Sequence, residues 1–229
     1  MEDTISAIAT ALGVGAVGII RVSGPESLRL VNRIFRAKEP LSSSRPRYLQ
    51  YGHIHDGKGV DVDEVLAVYM PGPHSYTGED VVEIQCHGGR EALKEILRLT
   101  FSEGARPAEP GEFTRRAFLN GRIDLSQAEA VIDVIQSKNE YALQSSVSQL
   151  SGSMSRKVRE LREKLIYEIA FIESALDDPE HISLEGYEDE LMEKLNPMID
   201  QMESMVRSAD NGKIVTEGIK TVILGKPNA

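Results

Sequence analysis

The chain has 229 residues, of which 41% are hydrophobic and 27% charged. These values are typical of a globular protein of one or two domains, and they exclude a disordered chain, a fibrous protein and a small disulfide-stapled domain. The net charge of −10 argues against a broad nucleic-acid-binding surface, and no stretch approaches the roughly 18 unbroken apolar residues of a membrane span.

The N-terminal residues 1–10 contain two acids and no base. This pattern fits neither a secretory signal nor an Arg-rich transit peptide. The single cysteine, Cys86, cannot form an internal disulfide, which agrees with a reducing compartment. We therefore expect a cytoplasmic protein that is not attached to a membrane.

Residues 1–118 predict an α+β domain. Strands are predicted where β-branched and aromatic residues lie between Gly and Pro clusters, at 17–23, 47–55, 64–70 and 81–86. Helical spacing appears at 27–35 and 90–101. Several strands with few helices favour a mixed or antiparallel sheet that has helices on one face.

The glycines of this half suggest two turns. Gly13, Gly15 and Gly18 match G-x-G-x-x-G, but they open a strand instead of a helix, so we reject a dinucleotide-binding loop. A flexible turn and a loop that closes over a ligand are the two interpretations left. Gly88 and Gly89 join a strand to a helix, which is either an ordinary junction or an anion site at the helix N-terminus.

Charged residues lie at two informative places. Glu83 alternates with the apolar residues of its strand, so its carboxylate is predicted to face solvent or a cleft. In segment 110–122, Arg115, Arg116 and Arg122 either bind a carboxylate or phosphate or pair with local acids. The five histidines show no metal-ligand spacing, so we expect no metal site.

Residues 119–219 predict an antiparallel helical bundle. Ser126 and Glu129 form a capping-box pattern, so a helix is predicted to begin there. Apolar residues recur every three or four positions in two seams, at 158–176 and 191–205. Pro197 lies within the second seam, where we expect a kink or a break.

Residues 220–224 predict a strand that leads into Gly225, Lys226, Pro227, Asn228 and Ala229. These five residues match the beginning of the phosphate-binding pattern G-x-x-x-x-G-K-[ST]. We expect them to be a truncated P-loop, without the lysine and hydroxyl that bind phosphate and Mg²⁺. No nucleotide chemistry is expected from this chain, and no catalytic residue is assigned within it.

Several segments together resemble the MnmE (TrmE) family of tRNA-modification GTPases. The resemblance is carried by the residues at 3–10, 18–24, 76–89, 109–129 and 225–229. It implies an N-terminal tetrahydrofolate-binding-like α+β domain that forms a homodimer, then a helical domain into which a G domain is inserted. The implied boundaries are 1–118, 119–219 and 220–229.

The resemblance also implies a function and a ligand site. The whole protein would hydrolyse GTP with Mg²⁺ and K⁺ and would act with the FAD-dependent partner MnmG. It would modify the wobble uridine of tRNA with a one-carbon unit from folate. The implied 5-formyltetrahydrofolate contacts are Arg21, Glu83 and Arg122, the last at a position where the family commonly has lysine.

The family's C-terminal helices lie outside this sequence, so the resemblance predicts an incomplete folate site and exposed bundle surface. Two other functions compete with a folate-binding part of a GTPase. One is a structural dimerisation scaffold without a ligand. The other, a stand-alone folate-dependent one-carbon transferase, is disfavoured by the helical half and the truncated P-loop.

Overall fold

The computed structural model describes residues 3–13, 15–42 and 45–217, together with Val222, Leu224 and Gly225. The chain divides into two compact units, Met1–Ile123 and Asp124–Ala229. The change of pattern at residue 118 therefore lies just before the division between the units. Among the described residues, no helix has the length and apolar character needed to cross a bilayer.

The described part of the first unit contains seven strands and three helices. The strands are β1 (Ile5–Ile8), β2 (Val17–Ser23), β3 (Phe35–Arg36), β4 (Gln50–His55), β5 (Asp61–Met70), β6 (Val81–His87) and β7 (Arg106–Pro107). The helices are α1 (Ser27–Ile34), α2 (Arg90–Ser102) and α3 (Glu112–Leu119).

All seven strands form one sheet in the order β3-β4-β5-β6-β2-β1-β7. Neighbouring strands are antiparallel except β1 and β7, which run parallel. The α+β fold with a mixed sheet is thus confirmed. The two-residue edge strands and β1 were not predicted because they are too short to show a periodic pattern. Helix α3 was not predicted either, although it is as long as α1.

The hydrophobic core of this unit lies between one sheet face and helices α1 and α2. Ile20 of β2, Ile84 of β6 and Ile96 of α2 are all fully buried in it. The helix approaches the sheet closely at Gly18, where an added Cβ would lie 2.6 Å from Leu93 Cδ2. Any larger residue at this crossing would therefore require the Leu93 side chain to shift.

The second unit is helical, as predicted. Its helices are α4 (Leu125–Gln136), α5 (Glu140–Leu150), α6 (Ser153–Asp177) and α7 (Tyr187–Glu217). The short connection 137–139 lets α4 and α5 pack against each other as a helical hairpin.

The predicted capping box at Ser126 and Glu129 is wrong. Asp124 is the N-cap, and its Oδ1 accepts from Gln127 N at 2.9 Å while Gln127 Oε1 accepts from Asp124 N at 3.0 Å. Asp and Gln satisfy the same reciprocal pattern as Ser and Glu, and they lie two residues earlier. Ser126 therefore lies within the first turn and donates its hydroxyl to Asp124 Oδ1 at 2.7 Å.

Of the kink or break predicted at Pro197, the break does not occur, because α7 is continuous from Tyr187 to Glu217. Long helical segments precede and follow the proline, and helix propagation on both sides is cooperative. The lost donor of Pro197 therefore interrupts one backbone bond without ending the helix.

The predicted apolar seams are formed only in part. Leu161 of α6 and Met198 of α7 are buried. By contrast, several residues of the same seams are exposed, namely Val158, Leu165, Ile169, Leu176 and Met202. The periodicity indicated the correct helix faces but not which part of each face is covered.

Candidate functional site

Two of the three predicted ligand residues, Arg21 and Glu83, form a direct ion pair. They lie opposite each other on the antiparallel strands β2 and β6. Arg21 Nε donates to Glu83 Oε1 at 2.8 Å, and the two side chains are 21% and 18% exposed. Both alternate with buried core residues, so they project from the sheet face opposite α1 and α2. Glu83 was predicted to face solvent or a cleft, and its carboxylate lies outside the core and is partly exposed.

Two aromatic rings lie against the Arg21 guanidinium. Its Cζ is 4.5 Å from the ring centroid of Tyr76 and 5.5 Å from that of Phe113. Tyr76 belongs to the loop 71–80 between β5 and β6, and Phe113 belongs to α3. Such contacts stabilise a guanidinium while leaving its edge free for hydrogen bonds.

Arg21 and Glu83 use only part of their hydrogen-bonding capacity. Within the described residues, the Nη atoms of Arg21 and Oε2 of Glu83 have no hydrogen-bond partner. A half-buried pair with open donors and an open acceptor can bind a polar planar ligand between aromatic rings.

Arg122, the third predicted residue, reaches the same ring without touching the ion pair. Its Nη1 donates to the carbonyl oxygen of Tyr76 at 3.0 Å, and its Cζ is 5.5 Å from the Tyr76 ring centroid. Its side chain is exposed. Tyr76 therefore contacts both Arg21 and Arg122, and Glu83 is linked to them through its ion pair with Arg21.

The arginines of segment 110–122 were predicted either to bind a carboxylate or phosphate or to pair with local acids, and the surroundings of the three differ. Arg116 is fully buried and pairs with Asp3, Glu79 and Glu112. Arg115 is exposed and lies 3.2 Å from Glu109. Arg122 alone of the three lies at the candidate site. Sequence reasoning could not separate them because their spacing does not show which helix face is covered.

Glu112 is the most strongly perturbed acid near α3. Hydrogen bonds from Arg106, from the backbone N–H of Glu109 and from Arg116 lower its pKa to about 2 despite its burial. The distance from Arg106 Nη2 to Glu112 Oε1 is 2.6 Å. This cluster is fully charged at neutral pH, and it fixes α3 beside the N-terminal strand.

Sequence reasoning missed Tyr76 and Phe113 as site residues. Both lie in segments that carry the family resemblance, and Tyr76 lies close before Glu83, but the sequence does not show that either ring would contact Arg21. The one available signal was the combination of aromatic residues and arginines in 110–122. For Tyr76, the loop position gave no indication of the contact.

The two glycine turns meet each other. Gly88 N donates to the Ala16 carbonyl at 3.2 Å, and an added Cβ on Gly88 would lie 2.4 Å from Gly15 O. The loop from Gly13 thus leads into β2, as a turn would. Just before the Gly88–Gly89 junction, His87 N donates to Oδ2 of Asp63 on β5 at 2.8 Å.

Comparison with known proteins agrees with an α+β fold followed by a helical one. A family model described as the GTP-binding protein TrmE N-terminus matches residues 4–122, and a model of the MnmE helical domain matches residues 125–224. The chain belongs to the MnmE family.

Curated MnmE relatives align along the whole chain. The proteins of Lachnoclostridium phytofermentans and Clostridioides difficile are each 49% identical, over 99% and 100% of this chain. The protein of Acetivibrio thermocellus is 50% identical over 99% of it. All three are named tRNA modification GTPase MnmE, and the chain spans about half the length of each.

The phosphate-binding prediction falls at the end of this MnmE chain. Gly225 is exposed, whereas Lys226, Pro227, Asn228 and Ala229 lie outside the described residues. Of the strand predicted at 220–224, only Val222 and Leu224 are described, and neither is in a strand.

Proposed function

We propose that this chain binds 5-formyltetrahydrofolate at Arg21, Glu83 and Arg122 and forms a homodimer through its N-terminal unit. In the whole protein these activities would serve a GTPase that uses GTP, Mg²⁺ and K⁺. With the FAD-dependent partner MnmG, it would modify the wobble uridine of tRNA with a one-carbon unit from folate. The relatives' names support the GTPase and the tRNA, and the site chemistry supports the folate.

The observation that carries the folate proposal is the partly unsatisfied Arg21–Glu83 pair beneath two aromatic rings. A pterin presents adjacent N–H donors on one edge, which suit the open oxygen of Glu83. Its flat ring suits the faces of Tyr76 and Phe113. The carboxylates of the folate tail suit the guanidinium of Arg21 or of Arg122.

Isothermal titration calorimetry of the chain with 5-formyltetrahydrofolate tests this proposal. We expect wild-type binding and an affinity at least about tenfold lower for Glu83→Ala, because a charge-assisted hydrogen bond contributes about 1.5–3 kcal/mol. Glu64→Ala is the matched control, since Glu64 is an exposed carboxylate on the next strand. Its affinity should equal that of the wild type.

Two calorimetric results would contradict folate binding at this site. Equal affinity of wild type and Glu83→Ala would move the ligand elsewhere. No binding by the wild type would leave the dimerisation scaffold as the function of this chain.

The proposed homodimer is supported by apolar residues on the same open sheet face. Val17 is 59% exposed, Tyr51 58% and Leu66 39%. Tyr51 and Leu66 are paired across β4 and β5, and both line a cavity of about 330 Å³ together with Val17. Exposed apolar residues grouped on one sheet face are typical of an interface, and we propose a second copy of this unit as the partner.

A further inference from the structure

The loop 71–80 places Tyr76 over Arg21, and its own position is held by tethers along its length. Near its start, Gly72 N donates to Asp80 Oδ1 at 3.0 Å, and the His74 carbonyl accepts from Arg47 Nη2 at 2.8 Å. Near its end, the Thr77 carbonyl accepts from Asn120 Nδ2 at 2.8 Å. The ring of Tyr76 is therefore fixed through the loop backbone.

Glu79 connects this loop to the interior of the unit. Its Oε2 accepts from Ser23 Oγ and from Arg116 Nη1, each at 3.0 Å. Ser23 Oγ also lies 2.7 Å from Thr77 Oγ1, the residue next to Tyr76. Ser23 thus links the Glu79 carboxylate to Thr77, whose backbone adjoins that of Tyr76.

Arg116 is the buried centre of these contacts. Its side chain is completely inaccessible to solvent. Nη1 donates to the Asp3 carbonyl at 2.9 Å as well as to Glu79, and Nη2 donates to Asp3 Oδ1 at 2.8 Å and to Glu112 Oε1 at 3.2 Å. Only the planar fork of an arginine reaches all these acceptors at once.

Arg116 also belongs to the helix that supplies the other side of the site. Phe113 of α3 lies against Arg21, and Thr114 Oγ1 is 2.9 Å from the hydroxyl of Tyr76. The pair of Arg116 and Glu79 therefore fixes the distance between the loop and the helix that enclose the Arg21 guanidinium.

We propose that Arg116 and Glu79 are positioning residues of the ligand site, which act through Tyr76 to hold the aromatic enclosure over the Arg21–Glu83 pair. Neither residue touches Arg21. Buried ionic groups contribute little net stability, but their directional bonds can select one geometry of the groups that they join. The inference rests on the proposed function for the identity of the ligand, not for the geometry.

Arg116→Lys and Glu79→Gln test this role, with Arg33→Lys as the matched control. Arg33 is an exposed arginine of the same unit whose Nη1 lies 3.3 Å from Glu103. The first measurement needs no ligand: the hydrogen exchange of the Arg21 Nε–H group, followed by ¹⁵N NMR and assigned by its loss in Arg21→Lys.

We expect this exchange to be about tenfold faster in both variants and unchanged in Arg33→Lys, because loss of the tether opens the aromatic enclosure to water. The backbone amides of Ile20 and Ile84 serve as the reference for the fold. A merely structural role would accelerate these core amides in parallel with Arg21 Nε–H, and that result would overturn the proposal.

The second measurement is a double-mutant cycle on affinity for 5-formyltetrahydrofolate. Arg116→Lys should weaken binding about tenfold in the wild-type background and have no further effect in Tyr76→Ala, since its action passes through that ring. Additive effects would overturn the proposal.

Two complications are covered by the design. If Arg116→Lys does not fold, Glu79→Gln takes its place in both measurements, because it removes the charge of the carboxylate that accepts from Arg116 Nη1 and Ser23 Oγ. If the wild type binds no folate, the folate proposal fails, while the exchange of Arg21 Nε–H still decides the positioning role.

Discussion

At the scale of single residues, the site depends on charged side chains whose neighbours are distant in sequence. Alternation along β6 correctly predicted that Glu83 lies outside the core. The ring of Tyr76 and the ring of Phe113 could not be predicted, because a loop and a helix from different parts of the chain bring them to Arg21. A sequence pattern shows which face a residue occupies, but not what covers that face.

His87 provides a prediction at this scale. A hydrogen bond to Asp63, at 2.6 Å between Nδ1 and Oδ1, raises the pKa of His87 above its ordinary value. We expect ¹H–¹³C NMR titration to show this raised pKa and Asp63→Asn to lower it. Asp61→Asn is the control, since Asp61 pairs with Arg36 instead.

The stability of the chain should follow the same titration. A raised pKa of the folded state stabilises the protein below the unfolded pKa of about 6.5, and this contribution is lost as pH rises through the folded value. Asp63→Asn should therefore lower the urea midpoint more at about pH 5.5 than at about pH 8.5. An equal loss at both values would contradict the pairing.

At the scale of elements, the strands and helices whose apolar residues follow a clear period were predicted. The two-residue strands, β1 and α3 were not. Four strands and two helices of the first unit appear close to their predicted positions. The start of α4 was misplaced because two overlapping residue pairs satisfy the capping pattern. The seams of α6 and α7 were predicted from the spacing of apolar residues alone, and this spacing does not show how deeply each residue is buried.

The start of α4 gives a direct test of that correction. Asp124→Ala removes the N-cap and should lower the free energy of unfolding of the helical unit by about 1 kcal/mol. Ser126→Ala, at the cap predicted from sequence, should cost less than half as much because the cap bond to Gln127 N remains. Thermal unfolding followed by circular dichroism measures both effects. A larger destabilisation by Ser126→Ala than by Asp124→Ala would show that Ser126, the cap predicted from sequence, is the N-cap.

At the scale of the whole molecule, length and composition predicted a globular protein of one or two domains, but not the surfaces of those domains. The open sheet face of the first unit has its apolar side chains next to the ligand site. In the homodimer proposed above, a second copy of the same unit would cover these side chains.

This proposal predicts the oligomeric state. Leu66→Glu should shift the chain from dimer to monomer in analytical ultracentrifugation, since a charge on an apolar interface must be desolvated. Val60→Glu is the matched control, because Val60 is 62% exposed on the β4–β5 connection. A wild-type chain that sediments as a monomer at all concentrations would refute the dimer.

The first unit is closed by residues that are far apart along the chain. Strand β1 pairs with β7, and Arg116 Nη2 binds Asp3 Oδ1 across 113 positions. During synthesis, the opening segment must therefore wait until α3 has left the ribosome before its partners exist, and contacts of such separation slow folding.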